Sequence, residues 1–91
     1  MKSVRLRIAG RVHGVGYRAW AMQTGARLGV RGWVRNRTDG SVEAVVIGED
    51  EAVAAMIEAC RRGPFAARVA EVAVSDADDD GSEGFAARAT V

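Results

Sequence analysis

Residues 10–18 read Gly10-Arg11-Val12-His13-Gly14-Val15-Gly16-Tyr17-Arg18, and they join an alternating segment on their N-terminal side to a helical pattern on their C-terminal side. Three glycines within seven residues allow the positive φ angles and close main-chain approach with which a loop turns its N–H groups inward around an anion. A helix that begins after the loop adds its own unpaired N–H groups. The stretch therefore predicts a strand, an anion-binding loop and a helix in succession.

Arg18 falls in the first turn of this helix, where a cation is unfavourable by roughly 0.3–1 kcal/mol unless an anion lies nearby. A local rule broken beside an anion-binding loop indicates a functional site, and we interpret the stretch as a phosphate site. No Gly-Lys-Ser/Thr follows, and the third glycine of the dinucleotide fingerprint is missing, so neither of those motifs is met. A glycine-rich turn with a solvent-facing arginine fits the spacing equally well.

The segments on either side of the loop have clear periodicities. Ser3 to Val12 alternates between apolar and polar residues, which predicts a half-buried strand. After the loop, an apolar stripe at helical spacing predicts a helix that ends at Gly29. Its members are Tyr17, Trp20, Ala21, Thr24 and Leu28. We assign Trp20 to the core because it lies on this stripe.

The middle of the chain predicts a hairpin followed by a second helix. Val30 to Arg35 and Val42 to Ile47 are rich in Val, Ile and Trp, and an Asp-Gly turn lies between them. Asp50 then offers an N-cap for a helix that ends before Gly63-Pro64. Cys60 lies on the apolar stripe of that helix, so we expect it to pack in the core.

The last third predicts a fourth strand over Arg68 to Val74 and an additional edge strand over Phe85 to Val91. Between them, residues 76–84 form an acidic segment that we expect to be a solvated, mobile loop, since nothing fixes its carboxylates in the geometry of a metal site. The element order is β-α-β-β-α-β. It predicts an α+β, ferredoxin-like sandwich in which two helices cover one face of an antiparallel sheet of four to five strands.

Length and composition restrict the class of protein. Ninety-one residues form a single domain over residues 1–91. No apolar run approaches the roughly 18 residues of a membrane span, and no secretory signal begins the chain, so we expect a cytoplasmic protein that does not bind membranes. The third strand has no aromatic residues for stacking bases, which argues against nucleic-acid binding. One cysteine and one histidine cannot supply a metal-carrying cluster.

The loop and the hairpin together are far more specific than either alone. Residues 10–18, followed by Gly32-Trp33-Val34-Arg35-Asn36-Arg37-Thr38-Asp39-Gly40-Ser41-Val42-Glu43, closely resemble the acylphosphatase family, and the resemblance continues weakly through Gly63-Pro64 and residues 67–69. This resemblance implies an enzyme that hydrolyses the carboxyl–phosphate bond of small acyl phosphates. Its products are a carboxylate and inorganic phosphate, and it needs no metal or cofactor.

The resemblance also implies roles for particular residues. Arg18 matches the phosphate-binding arginine of the family, and Asn36 matches the asparagine that holds the attacking water. The loop matches the main-chain cradle for the phosphate oxygens and comprises Arg11, Val12, His13, Gly14, Val15, Gly16 and Tyr17. The resemblance further implies that the phosphate of the substrate takes the proton of the water. Asn36 would otherwise be a turn residue that opens the hairpin.

This sequence departs from the family pattern at His13, where glutamine is usual, and mildly at Tyr17, where phenylalanine is usual. The His13 side chain either has no direct role or, as a cation, assists phosphate binding at low pH. Besides the enzyme, we considered a non-catalytic module that binds an anion or phosphometabolite in a regulatory role. Retention of Asn36 argues against it, because a binder needs no water-holding amide. The sequence shows no obvious large apolar patch or coiled-coil repeat that would bind a partner chain, so we expect a monomer.

Overall fold

The computed structural model describes all residues, 1–91, and contains five strands and two helices. In chain order they are β1 (Lys2–Arg11), α1 (Tyr17–Leu28), β2 (Arg31–Asn36), β3 (Val42–Gly48), α2 (Asp50–Arg62), β4 (Arg68–Asp76) and β5 (Phe85–Arg88). The strands form one sheet in the order β4-β1-β3-β2-β5. The predicted ferredoxin-like sandwich is therefore confirmed.

The sheet topology brings the predicted site residues to one end of the sheet. β3 lies between β1 and β2 and is antiparallel to both, so β1 and β2 run in the same direction. Val42 pairs with Ile8 on one side and with Asn36 on the other. Because neighbouring strands are about 4.8 Å apart, Asn36 lies about 10 Å from β1, at the end of the sheet where β1 leads into the loop.

The direction of β5 corrects the expectation of a wholly antiparallel sheet. β5 pairs with β2 in parallel register, from Gly32 opposite Phe85 to Arg35 opposite Arg88, so the sheet is mixed. β4 lies at the opposite edge, and it ends at the end of the sheet away from the loop. The chain crosses the sheet at that end and enters β5 from there, which gives β5 the direction of β2.

The core lies between the helices and one face of the sheet. Val4, Leu6 and Ile8 are almost completely buried there, as their alternation predicts. Tyr17, Ala21 and Thr24 of the predicted α1 stripe are also buried, while Leu28 and Trp20 are partly buried against the core. Cys60 is buried, as expected, and Gly29 closes α1 in the left-handed conformation with φ 77°.

The start of α2 differs from the prediction. Glu49, not Asp50, is the N-cap residue, and no side chain hydrogen bonds to the first turn. Asp50 and Glu51 instead occupy that turn, where carboxylates interact favourably with the positive end of the helix dipole. The acidic sequence therefore stabilises the helix start by charge rather than by a side-chain cap.

The acidic segment is largely exposed, as a solvated loop would be, and two of its carboxylates also contact β2. It crosses the helix-free face of the sheet, which we call the open face. Asp79 accepts two hydrogen bonds from the Arg31 guanidinium at 3.2 and 2.6 Å, and Asp80 accepts one from Trp33 Nε1 at 3.1 Å. These contacts hold the segment that carries the chain from β4 to β5.

Candidate active site

A cleft of about 360 Å³ opens at the end of the sheet where β1 leads into α1. It is lined by residues of the glycine loop, the first turns of α1, the end of β2 and β5: Val12, Gly14, Gly16, Tyr17, Arg18, Ala19, Met22, Asn36 and Ala87. The cleft thus brings together Arg18 and Asn36, which are 18 residues apart in the sequence.

Glycine has a different function at different positions of the loop. Gly14 and Gly16 have φ angles of 71° and 77° in the left-handed region, with no atom close to where a side chain would begin. Gly16 is the N-cap of α1, and no side chain caps this helix, so its first N–H groups are available to an anion. Gly10 instead lies at a β-bulge against β4, where a Cβ atom would overlap the carbonyl oxygen of Arg68.

Arg18 is half-buried on the first turn of α1, which contains no acidic residue. Its guanidinium makes neither a hydrogen bond nor an ion pair within the protein. Six other arginines, at positions 5, 7, 31, 35, 37 and 61, are paired with carboxylates. Among the arginines without such a partner, Arg18 is the one that lines the cleft. The planar guanidinium of Arg18 is therefore left with its paired donors free for two oxygens of an anion.

Asn36 is the last residue of β2, and its side-chain amide also has no hydrogen-bond partner within the protein, whereas its main chain is held firmly. The Asn36 carbonyl oxygen accepts a hydrogen bond from Val91 N–H at 3.2 Å, and the Val91 oxygen accepts one from Thr38 N–H at 2.8 Å. The main chain around Asn36 is fixed while the amide remains free to hold a small polar molecule.

Three predicted loop residues do not line the cleft. Arg11 is exposed at the end of β1, opposite Arg68, and Val15 packs against the core. His13 directs Nε2 to the carbonyl oxygen of Ser41 at 2.8 Å. Because a carbonyl only accepts, Nε2 donates, and the His13 side chain ties the loop to the β2–β3 turn.

Three further residues line the cleft that the sequence patterns do not predict: Ala19, Met22 and Ala87. Met22 could have been found, because it follows Arg18 by four residues and therefore lies on the same side of the helix. No sequence signal identifies Ala87. It reaches the cleft only because β5 pairs with β2 in parallel register.

Of the two titratable groups whose pKa burial raises strongly, Cys60 does not line the cleft and Tyr17 does. Burial raises the pKa of the Cys60 thiol to about 11, so the thiol is a poor nucleophile. Burial likewise raises the pKa of Tyr17, whose hydroxyl donates to the Cys60 carbonyl at 2.7 Å.

No cluster of three His, Cys, Asp or Glu residues is arranged to hold a metal ion, and no helix is both long and apolar enough to cross a membrane.

Comparisons with known proteins identify the family of the chain. The sequence model of the acylphosphatase family matches residues 4–87. The chain is 48% identical over 85 residues to an acylphosphatase of Rhodospirillum rubrum, with 93% of each chain covered. It is 56% identical over 71 residues to one of Rhizobium etli, covering 78% of this chain and 76% of the relative.

The fold comparison gives the same result. The crystal structure of the acylphosphatase from Bacillus subtilis superimposes with a TM-score of 0.93 at 30% sequence identity, covering 97% of this chain and 99% of that one. The family model, the similar sequences and the similar structure together show that the chain belongs to the acylphosphatase family of enzymes.

Proposed function

We propose that this acylphosphatase hydrolyses small acyl phosphates with Arg18 binding the phosphoryl group and Asn36 positioning the attacking water. The observation that carries the proposal is that these two polar side chains, each without a partner inside the protein, line one cleft. Water oxygen attacks phosphorus, the bond from phosphorus to the acyl oxygen breaks, and the carboxylate leaves with the electron pair. The products are a carboxylate and inorganic phosphate.

The phosphoryl group is held mainly by positive charge and N–H donors. The guanidinium of Arg18 donates to two phosphoryl oxygens, and the uncapped start of α1 with the loop from Arg11 to Tyr17 provides main-chain N–H donors. A carboxylate is a good leaving group, so positioning and charge stabilisation supply most of the rate enhancement. The positive charge of Arg18 in the first turn is unfavourable for the helix by itself, and a bound phosphate makes it favourable.

The water is held without a general base from the protein. A side-chain amide accepts a hydrogen bond through its oxygen and donates through its nitrogen, and it does not titrate. The residues lining the cleft include no Asp, Glu, His or Cys. We infer, as the family resemblance implies, that the proton of the water passes to an oxygen of the phosphate itself.

We further propose that the chain acts as a single-domain cytoplasmic monomer over residues 1–91, without a metal, a cofactor, a membrane or a nucleic acid. The open face of the sheet supports the absence of nucleic-acid binding. Its only aromatic ring, Trp33, is 5% exposed, and the guanidinium groups of Arg35 and Arg88 lie 4.6 and 4.9 Å from the ring centroid. No ring is left for stacking on a base.

Release of inorganic phosphate from acetyl phosphate and benzoyl phosphate, measured with EDTA present, tests the proposal. We expect turnover by the wild type and a loss of about 3–4 kcal/mol of transition-state stabilisation, a hundredfold or more in rate, in Arg18→Ala and in Asn36→Ala. Arg18→Ala should also weaken inhibition by inorganic phosphate, whereas Asn36→Ala should leave that inhibition nearly unchanged.

Arg27→Ala is the matched control, because Arg27 lies at the other end of the same helix and is exposed. Its activity should equal that of the wild type. A folded wild type that binds phosphate without turnover would contradict the proposal, as would full activity in either cleft variant.

A further inference from the structure

The cleft continues beyond the phosphate-binding residues into an apolar part between α1 and β5. Its accessible wall consists of Ala19 and Met22 on α1 and Ala87 on β5. Ala19 and Ala87 are exposed, and Met22 is half-buried. We propose that this part of the cleft, which we call the acyl subsite, binds the acyl group of the substrate and selects uncharged, apolar groups up to the size of an aryl ring. The inference rests on the proposed function.

The packing of β5 on α1 explains why the subsite is there. Phe85 lies directly against Gly25, where even a Cβ atom would come within 2.7 Å of the ring. Ala87 follows Phe85 by two residues and lies on the same face of the strand, while Met22 precedes Gly25 by three residues on the same side of the helix. The Gly25–Phe85 contact thus packs β5 against α1 next to Met22 and Ala87, and these two residues line the cleft.

The position of Arg18 gives the direction of a bound substrate. Arg18 precedes Met22 by one helical turn, so a phosphoryl group on the Arg18 guanidinium leaves its acyl group beside Met22. The total volume of about 360 Å³ lies at the low end of clefts that hold small organic molecules. A phosphoryl group with a compact acyl group is therefore a suitable occupant.

The chemistry of the wall determines which acyl groups are accepted. The thioether of Met22 is flexible and polarisable, and it makes favourable contacts with aromatic rings. Arg18 is the only charged residue that lines the cleft, and the phosphoryl group occupies it. A free carboxylate on the acyl group, as in succinyl phosphate, would lose its hydration without gaining a partner. We therefore expect kcat/KM to fall in the order benzoyl phosphate, acetyl phosphate, succinyl phosphate.

Variants of β5 test the subsite. Ala87→Leu fills it and should reduce kcat/KM for benzoyl phosphate about tenfold more than for acetyl phosphate, since a hydrophobic pocket discriminates by about this factor for a small change in shape. The inhibition constant of inorganic phosphate should stay within about twofold, because the phosphate contacts are untouched. Ala86→Leu is the matched control. Ala86 is the neighbouring residue, opposite Trp33 on the open face, and its variant should keep the wild-type preference.

Met22→Ala provides a second test if Ala87→Leu does not fold. It should raise KM for benzoyl phosphate by several-fold and leave acetyl phosphate nearly unchanged, while Gln23→Ala on the exposed side of the same helix should change neither. Equal losses for both substrates, or no loss for either, would overturn the subsite, as would preferred turnover of succinyl phosphate. The proposed function fails separately, if the wild type hydrolyses none of these acyl phosphates.

Discussion

His13 connects two parts of the proposed active site that are far apart in the sequence. Its Nε2 donates to the Ser41 carbonyl oxygen across 28 residues, so the side chain holds the loop that we propose binds phosphate against the turn that follows Asn36. Removing one such hydrogen bond costs about 1 kcal/mol. His13→Ala should therefore reduce kcat/KM for acetyl phosphate about fivefold, whereas His13→Gln, which keeps a side-chain donor, should recover most of the loss.

The pH dependence separates this positioning function from a direct role in phosphate binding. Nε2 carries a proton both in the neutral tautomer that donates to Ser41 and in the imidazolium, so protonation leaves the contact in place. The pH profiles of the wild type and His13→Gln should coincide in phosphate-release assays. A wild-type profile with an additional gain in phosphate affinity at low pH, absent from His13→Gln, would instead show that the cation assists binding.

For single residues, the sequence predicts a functional position where a residue breaks a local structural rule. The sequence predicts Arg18 as a site residue because a cation in a first helical turn is unfavourable, and in the structure Arg18 lines the cleft. The His13–Ser41 bond and the place of Ala87 could not be predicted, because each depends on contacts between distant segments. Local spacing has no information about such contacts.

Glu43 ties the three central strands together on the open face. It lies on β3, is almost fully buried, and pairs with Arg5 of β1 and with Arg35 of β2. Arg37 also donates to it, at 3.0 Å. Burial by itself raises the pKa of the Glu43 carboxyl, but hydrogen bonds from Arg35, Arg5 and Arg37 outweigh burial and lower it from about 4.5 to about 2. The ionised carboxylate is therefore the form that stabilises the sheet.

The sign of the pH effect follows from this shift. A carboxyl whose pKa is lower in the folded state contributes its full stability above pH 4.5 and loses it as the pH falls to about 2. Glu43→Gln should lower the free energy of unfolding at pH 7 by about 2–3 kcal/mol. This is less than for a fully buried pair, because the arginines remain partly hydrated.

Urea unfolding at pH 7, 4.5 and 2.5 checks this prediction. The difference between wild type and Glu43→Gln should shrink steadily toward the lowest pH. Glu71→Gln serves as the control, since Glu71 is exposed on β4 and has no arginine partner, and it should follow the wild type throughout. A difference that stays constant with pH would show that the ionisation of Glu43 does not contribute.

At the scale of the elements, local sequence patterns predict where helices, strands and turns form but not the direction of β5. The alternation in β1, the Asp-Gly turn and the apolar stripe of α1 each follow from local sequence, and all three elements form where predicted. The parallel direction of β5 does not follow from the residues of β5. It depends on the path of the acidic segment, which is held by Arg31 and Trp33 of β2 through pairs almost 50 residues apart in the sequence.

On the scale of the whole molecule, residues from the first and the last third of the chain line the same cleft. The acidic segment crosses the open face, β5 adds Ala87 to the cleft, and the residues after β5 reach Asn36. Val91 then forms two main-chain hydrogen bonds on either side of Arg37, with the Asn36 carbonyl and the Thr38 N–H. The main chain that carries Asn36, whose amide we propose holds the water, is thus fixed by residues that follow β5.

Removal of residues 89–91 should therefore impair catalysis more than binding. Without Val91, the Asn36 carbonyl and the Thr38 N–H lose their partners, and a small displacement of a positioning group costs on the order of tenfold to a hundredfold in rate. We expect kcat for acetyl phosphate to fall by about tenfold, while inhibition by inorganic phosphate, which depends on Arg18 and the loop, changes little. Val91→Ala keeps both main-chain bonds and should retain wild-type kcat. If Val91→Ala is as impaired as the deletion, the side chain and not the main-chain clamp is responsible, and an unchanged kcat in the deletion would show that Asn36 holds its position without it.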